Sequence, residues 1–338
     1  MKIALVYNLR PAHATTPAWP DDLYAEWDEP ETIAAVQAAL ATAHHEVSLI
    51  ENNSEVEAGL RVSAPDIVFN IAEGLSGPDR EAHVPALLER WGIPFTGSSA
   101  RTLRTCLDKA ATKRVLQQHG LPTPAYAVLS STERLPDLPA FPLMVKPLHE
   151  GSSKGIEQAS VVHTRAALRA RVAYVLARYR QPALVETFVP GREFTVALLG
   201  NGAEVTVLPL VELCFAALPP GALPVYSYAA KWLWDTPEHA LDILRCPTDL
   251  PADLVRLITK LCRRAFLALK CRDWCRIDVR LDTHGQPQIL ELNPLPGILP
   301  NPQSHSCFPK AAAAAHISYA ALIRRVLAHA CQRYGLPV

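Results

Sequence analysis

The sequence predicts an α/β protein built from several lobes, and three observations carry that prediction. Strand-like runs alternate with amphipathic helical segments along the first hundred residues, the arrangement that favours a parallel sheet. A second alternation, framed by proline-rich connections, occupies the middle of the chain. Further on, Arg276-Ile277-Asp278-Val279 is followed at strand-plus-turn distance by Leu290-Glu291-Leu292-Asn293-Pro294, which reads as a hairpin with polar groups on one face. At 338 residues the chain is long enough for two or three cores.

Taken in order, residues 2–7 open the chain as a strand, Ile3, Leu5 and Tyr7 alternating with Ala4 and Val6. A helix follows Pro30, with Ile33, Val36 and Leu40 on one stripe and the proline where a first turn tolerates it. Strands are expected at 46–50 and 66–71. A helix over 81–91 turns Val84, Leu87, Leu88 and Trp91 to one side, then runs into Gly92-Ile93-Pro94-Phe95-Thr96-Gly97, a short strand and glycine-rich turn that marks a domain boundary.

The prolines between 122 and 142 read as connections around a strand at 125–129. Strands at 142–146 and 183–186 flank a helix over 164–179, a second α/β unit. Residues 194–199 and 204–213 form antiparallel strands about Gly200-Asn201-Gly202. Residues 219–237 lack periodicity and read as a long functional loop. A helix over 250–269 leads into the hairpin, whose turn is Asp282, His284 and Gly285. Ala311 to Ala315 read as a helix turn. The last helix starts near Ser318, carries Leu322, Ile323, Val326, Leu327 and Ala330 inside, and stops at Gly335.

Apolar residues make up 49% of the chain, yet no apolar run reaches the length of a membrane span. The first residues read as a strand and not as a signal peptide, so a cytoplasmic protein is expected. Lys plus Arg equals Asp plus Glu at 33 each, which removes the electrostatic motive for binding nucleic acid or an anionic membrane and leaves a small molecule as the expected partner. The closest cysteines, Cys271 and Cys275, lack the spacing of zinc or redox motifs and read as buried thiols, and the twelve histidines show no ligand spacing.

Within the hairpin, alternation sends Arg276 and Asp278 to one face, and the returning strand brings Glu291 opposite Asp278. Two carboxylates and a carboxamide suit Mg²⁺, a hard cation that completes its shell with water and phosphate oxygens. Taken alone, these four residues read more readily as a half-buried hairpin with surface ion pairs than as a metal site. Upstream, Lys146 ends a strand, and His149-Glu150-Gly151-Ser152-Ser153-Lys154-Gly155 forms a loop whose amides can wrap phosphate. That loop does not match P-loop spacing.

In this order, Lys146-Pro147, the Gly151-Ser152-Ser153 loop, Glu186, Glu193-Phe194-Thr195-Val196, Lys231, Arg276-Ile277-Asp278-Val279 and Glu291-Leu292-Asn293 resemble the ATP-grasp ligases. The chain is most similar to the D-alanyl-D-alanine ligase branch, and Gly92 to Ser98, Leu107-Asp108-Lys109 with Lys113, and Pro296-Gly297 extend the likeness over nearly its whole length. The resemblance implies an ATP-grasp fold: a Rossmann-like lobe over 1–100, a central α/β lobe over 101–190, and a C-terminal α+β lobe over 191–338 that carries the metal and catalytic site. It further implies a homodimer through the N-terminal lobe.

By the same resemblance, Lys109 and Lys146, with the Ser152 and Ser153 loop, hold ATP phosphates, and Glu186 and Glu193 take the adenine and ribose side. Lys231 reaches the transferred phosphate. Asp278, Glu291 and Asn293 hold two Mg²⁺ ions, for which Mn²⁺ can substitute. Arg276 stabilises the oxyanion of a tetrahedral intermediate, and closure of the Ser152 loop keeps water from an acyl phosphate. The implied reaction is ADP-forming amide synthesis from a carboxylate and an amine.

The substrate positions depart from the family. Glu73, in Asn70-Ile71-Ala72-Glu73-Gly74, stands where a histidine is expected and favours a cationic or amine-bearing group. Trp232 replaces the tyrosine after the loop lysine. After Pro296-Gly297 an expected serine is absent from Ile298-Leu299-Pro300-Asn301-Pro302, leaving Gly297 and Asn301 as the candidates there. Glu26, or with a shifted register Asp28 or Glu29, matches the carboxylate that by the same resemblance receives the first substrate's ammonium. These departures point to a ligase for amino acids or peptides other than two D-alanines. The alternatives are the housekeeping D-alanyl-D-alanine ligase, an ATP-grasp enzyme using a non-amino-acid carboxylate, and an ATP-binding protein without ligase activity.

Overall fold

The computed structural model describes all residues except 12–19, 21, 42–43, 134, 236–240, 248, 302–303, 305 and 338. The first sheet is parallel, with β1 (Lys2–Tyr7) between β2 (Glu46–Glu51) and β3 (Ile67–Asn70). Ile3 to Val6 are wholly buried because helices cover both faces of the strand, as parallel pairing requires. Those helices are α1 (Pro30–Ala41), α2 (Val56–Ser63) and α3 (His83–Trp91). The short strand expected within 92–97 is only a bridge between Val68 and Phe95.

Two helices with no periodic forewarning follow: α4 (Ala100–Leu107) and α5 (Lys109–Gln118). Ser99 and Asp108 cap them by accepting the amides of Thr102 and Ala111. Then come β4 (Tyr126–Leu129), β5 (Leu143–Pro147), β6 (Val161–Val162), α6 (Arg165–Tyr179) and β7 (Ala183–Thr187). Their sheet runs β4-β7-β5-β6 and is antiparallel throughout, a direction that alternation of strands and helices does not fix.

The remaining strands are β8 (Glu193–Leu199), β9 (Thr206–Val207), β10 (Val211–Leu213), β11 (Leu244–Arg245), β12 (Trp274–Leu281) and β13 (Pro287–Asn293). They form a six-stranded antiparallel sheet ordered β11-β10-β8-β12-β13, with β9 beside β8. The single strand expected over 204–213 is thus broken into β9 and β10. Helix α7 (Ala252–Ala268) packs Ile258, Cys262 and Phe266 against Ile277, Val279 and Ile289 of this sheet. The chain ends with α8 (Cys307–Ala314) and α9 (Tyr319–Tyr334), the latter lying on α1. The loop expected over 219–237 holds a π-helical turn at Ala230–Trp234, and its residues 236 and 237 lie outside the described ones. No described helix is long and apolar enough to cross a membrane. All eight cysteines are free thiols.

Asp273, fully buried, ties distant segments together. Its carboxylate accepts from the Gly97 amide at 2.7 Å, the Asn201 side chain at 2.9 Å and Arg333 of α9 at 2.7 Å. Replacing it leaves the Gly97 amide without its acceptor and takes the counter-charge from Arg333, which keeps only the Phe95 and Gly97 carbonyls. Asp273→Ala is expected to lower unfolding free energy by about 3 kcal/mol, read by chemical denaturation, whereas exposed Asp242→Ala leaves it unchanged.

Candidate active site

The centre of the site is set by strand register. In the β12–β13 ladder Arg276 faces Asn293 and Asp278 faces Glu291, and on the other side Asp278 faces Thr195 of β8. Ile277 and Val279 point into the core with no exposure, so Arg276 and Asp278 share the opposite face. Strict alternation along β13 from buried Ile289 would turn Glu291 into the core. A bulge prevents this: the register shifts beside Asp278, Leu290 is the extra residue, and both Leu290 and Glu291 lie on the site face.

Arg276 donates from Nε and Nη2 to Asp278 at 3.2 and 3.0 Å, and Asn293 Nδ2 donates to Asp278 Oδ2 at 3.2 Å. Lys109 Nζ lies 3.6 Å from Glu291 Oε2. Burial opposes the charge on Glu291, but Lys109, Lys146 and Arg276 hold its pKa down at about 2. Two clustered carboxylates, one held firmly ionised, and a carboxamide are hard oxygen donors of the kind a divalent cation needs.

Cations surround this centre. Lys146 and Lys113 each place Nζ 2.7 Å from Glu186, and Lys113 also donates to Thr123 at 2.8 Å. All three charged groups are buried. Burial works against the Glu186 charge, yet the two lysines lower its pKa. Burial lowers Lys113, whereas Lys146, with Glu291 and Glu193 also in reach, is raised despite its burial. Glu186, assigned by resemblance to the adenine side, therefore also neutralises two lysines. Burial pushes Glu193 up to about 7 against the pull of Arg280, whose Nη1 donates to it at 3.0 Å.

Ser152 and Ser153 both adopt positive φ, 47° and 62°, which folds their loop back over the site. A Cβ at Gly151 would come 2.3 Å from Glu26 Oε1, so a larger residue there would have to displace a carboxylate that Arg80 and Lys154 hold. The loop is latched: Lys231 Nζ donates to Ser152 Oγ at 3.4 Å, Trp232 Nε1 to the Ser152 carbonyl at 3.2 Å, and Ser153 Oγ to the Tyr226 carbonyl at 2.8 Å. The Arg10 guanidinium stacks 4.9 Å above Trp232. Indole N–H thus supplies a loop link in place of the missing tyrosine hydroxyl. Burial, helped by Arg276, lowers the pKa of Lys231 to about 8.

Two adjoining cavities meet at Arg276. One is lined by Lys109, Lys146, Glu186, Glu193, Lys231 and Asp278, the other by Glu26, Glu73, Glu81, Arg276, Asn293 and Gly297. Glu26 is occupied from within the chain: Arg80 Nη2 donates to both its oxygens at 3.0 and 2.9 Å, and Lys154 Nζ lies at 2.6 Å. These cations hold Glu26 at about 2 although burial opposes its charge. Asn301 is exposed, lines neither cavity, and accepts the Ser304 amide through its carbonyl. Ser306 instead buttresses this turn, donating to the Gly297 carbonyl at 2.9 Å and accepting from the Leu299 amide. Sequence reading missed Arg80 and Glu81, and took Glu150 only as part of the loop over 149–155.

A family model described as D-ala D-ala ligase C-terminus matches residues 115–328. The D-alanine–D-alanine ligase of Bordetella avium is 37% identical over 308 residues, covering 90% of each chain. The chain belongs to the D-alanine–D-alanine ligase family. The uncharacterized protein y4sG of Sinorhizobium fredii is 38% identical over 317 residues, covering 91% of this chain and 90% of the other. The crystal structure of D-alanine–D-alanine ligase from Bacillus anthracis complexed with ATP shares the ATP-grasp fold, with a TM-score of 0.74, 22% identity and 99% of both chains covered. As a member of this family the chain is an ATP-dependent, ADP-forming ligase that uses a divalent metal and acts on small molecules.

Glu186→Gln leaves two buried ammonium groups sharing a neutral acceptor and is expected to cost about 3 kcal/mol. The Glu186 pKa is lowered on folding, so its stabilisation is complete above the ordinary value of 4.5 and fades as pH falls through the folded value. Denaturation curves of wild type and variant should therefore converge in acid.

Proposed function

We propose that the chain forms a peptide bond between an amino-acid carboxylate and the amine of a second amino acid or peptide-like molecule, and that its preferred pair is not two D-alanines. The observation that carries the chemistry is the shared face of Arg276, Asp278, Glu291 and Asn293, ringed by Lys109, Lys146 and Lys231. What supports an altered pair is Glu73 and the internally neutralised Glu26 on the substrate side, with Trp232 as the lid.

In the first step a carboxylate oxygen bonds to the γ-phosphorus while the bond to the bridging oxygen breaks, releasing ADP. In the second the amine nitrogen bonds to the acyl carbon, the bond from that carbon to the phosphate oxygen breaks, and the departing phosphate takes up the proton that the nitrogen loses. Lys109, Lys146 and Lys231 offset charge on the phosphates, and Ser152 and Ser153 close over them. Asp278, Glu291 and Asn293 would hold two Mg²⁺ ions, with Mn²⁺ as a substitute, which neutralise charge on phosphate oxygens. Arg276 faces the acyl oxygen as it gains negative charge, a duty for a permanently charged, forked donor. Glu193, poised near neutrality, can donate to or accept from a ribose hydroxyl. Trp232 excludes water, which would otherwise hydrolyse the acyl phosphate. The same proposal places the enzyme in the cytoplasm as a homodimer.

The second reading, the housekeeping D-alanyl-D-alanine ligase, is favoured by relatives of that name at 37% identity. ADP release measured over a panel of D- and L-amino acids separates the two: turnover spread over other pairs is expected, and efficient turnover with D-alanine alone would overturn the proposal. Arg276→Ala should lower kcat by roughly 100-fold while ATP affinity is kept, as loss of a transition-state donor does. Glu291→Ala should instead raise the metal concentration needed for half-maximal rate. Equal loss of ATP binding in both would contradict these roles.

A further inference from the structure

We propose that Glu73 and Glu81, not Glu26, form the cation-binding end of the substrate cavity, and that they select an amino acid bearing a second, side-chain amine: a short diamino acid. This rests on the ligase reading above and names its substrate class.

Glu26 is already neutralised from within the chain, because Arg80 donates to both its oxygens and Lys154 lies against one of them, leaving one of its roughly four acceptor positions and no unbalanced charge for a ligand ammonium. Glu81 is in the opposite condition. It is 8% exposed, its nearest cation is Arg80 Nη2 at 3.8 Å, beyond hydrogen-bond reach, and its carboxylate accepts no hydrogen bond among the described residues. Glu73 accepts none among them either, and both line the cavity that also touches Arg276, Asn293 and Gly297. A buried carboxylate without donors is costly, and a ligand that brings N–H groups removes that cost.

Charge points the same way. Glu26, Glu73, Glu81 and Glu150 outnumber the two cations among them, Arg80 and Lys154, by two, so full ionisation of the cluster would leave two negative charges unbalanced. Lys109 and Arg276, at the far end of the cavity, are engaged by Glu291 and Asp278. Burial and neighbouring carboxylates push Glu81 up to about 7 and Glu73 well above the ordinary range, the mark of sites held short of positive charge. An α-ammonium cancels one of the two charges. A side-chain ammonium cancels the other. Oxygens of Glu26, Glu73 and Glu81 all lie within 4.8 Å of one another, a spacing that a divalent cation could also use. A metal there would have to displace Arg80 and Lys154 from Glu26, whereas an ammonium between Glu73 and Glu81 leaves them in place. The reacting carboxylate then lies toward Arg276, and Cys106, Leu107 and Leu295 line the same cavity.

The test compares alanine with 2,3-diaminopropionate and 2,4-diaminobutyrate, in both chiral forms. One readout is ADP release; the other is calorimetric binding to the protein holding Mg²⁺ and a non-hydrolysable ATP analogue. Diamino acids should exceed alanine by about tenfold or more in kcat/KM and in affinity. The Glu73→Gln, Glu81→Gln double variant should bring that ratio near one while keeping affinity for the ATP analogue and a denaturation midpoint no lower than wild type. Alanine bound as well as the diamino acids, an unchanged ratio in the variant, or a variant that unfolds more easily would each overturn the inference. So would Mn²⁺ titration in which the variant loses one metal ion per chain. If no amino acid drives ADP release but the binding preference stands, the ligase reading fails and the cation site survives.

Discussion

One extra residue in a β-ladder governs the site. Leu290 bulges from β13 beside Asp278, and only because of it do Glu291 and Asn293 lie on the face that β12 gives to Arg276 and Asp278. Without the bulge the two-residue period would put Glu291 among Ile277, Ile289 and Leu292, where an ionised carboxylate has no tolerable partner. The core under the sheet enforces the arrangement. Helix α7 packs Ile258, Cys262 and Phe266 against the apolar face, so a one-residue slip would bury every polar group of the site at once.

The second organising device is the enclosed charge cluster, used at both ends of the reaction space with opposite net sign. At the Lys146 end Glu186 divides itself between Lys113 and Lys146, and Lys109 and Lys231 add further positive charge. At the substrate end Arg80 and Lys154 both turn to Glu26, and the acidic groups outnumber them. The cavity pair is therefore polarised, rich in cations beside β5 and rich in carboxylates beside the segment after β3. Arg276 sits at the junction, where an acyl group would meet a phosphoryl group. The latch of Lys231 and Trp232 on the Ser152 loop closes both ends together.

Much of this was legible in the sequence. Alternation found β1, β12 and β13; the helical stripe found α1 and α9; and the Asp282 turn was read from its residue types, with Asp282 Oδ1 accepting the amides of His284 and Gln286. The shared face of Arg276 and Asp278 follows from period two alone. What stayed hidden depends on long-range partners. Nothing local says that the central sheet is antiparallel, that residues 92–97 contribute one bridge and not a strand, or that Leu290 is a bulge. Nor could the sequence show that Glu26 meets an arginine 54 positions away, or that Glu186 is held by two lysines. Buried charges are chosen by their neighbours in space, and their neighbours in sequence carry no trace of it.

Anomalous diffraction from crystals grown with Mn²⁺ and a non-hydrolysable ATP analogue reads the central claim most directly. Two peaks about 3.5–4 Å apart, flanked by Asp278, Glu291 and Asn293, are the expected result, as for paired ions at a phosphoryl-transfer site. Bound nucleotide with no manganese at those three side chains, or manganese confined to Glu26, Glu73 and Glu81, would contradict it.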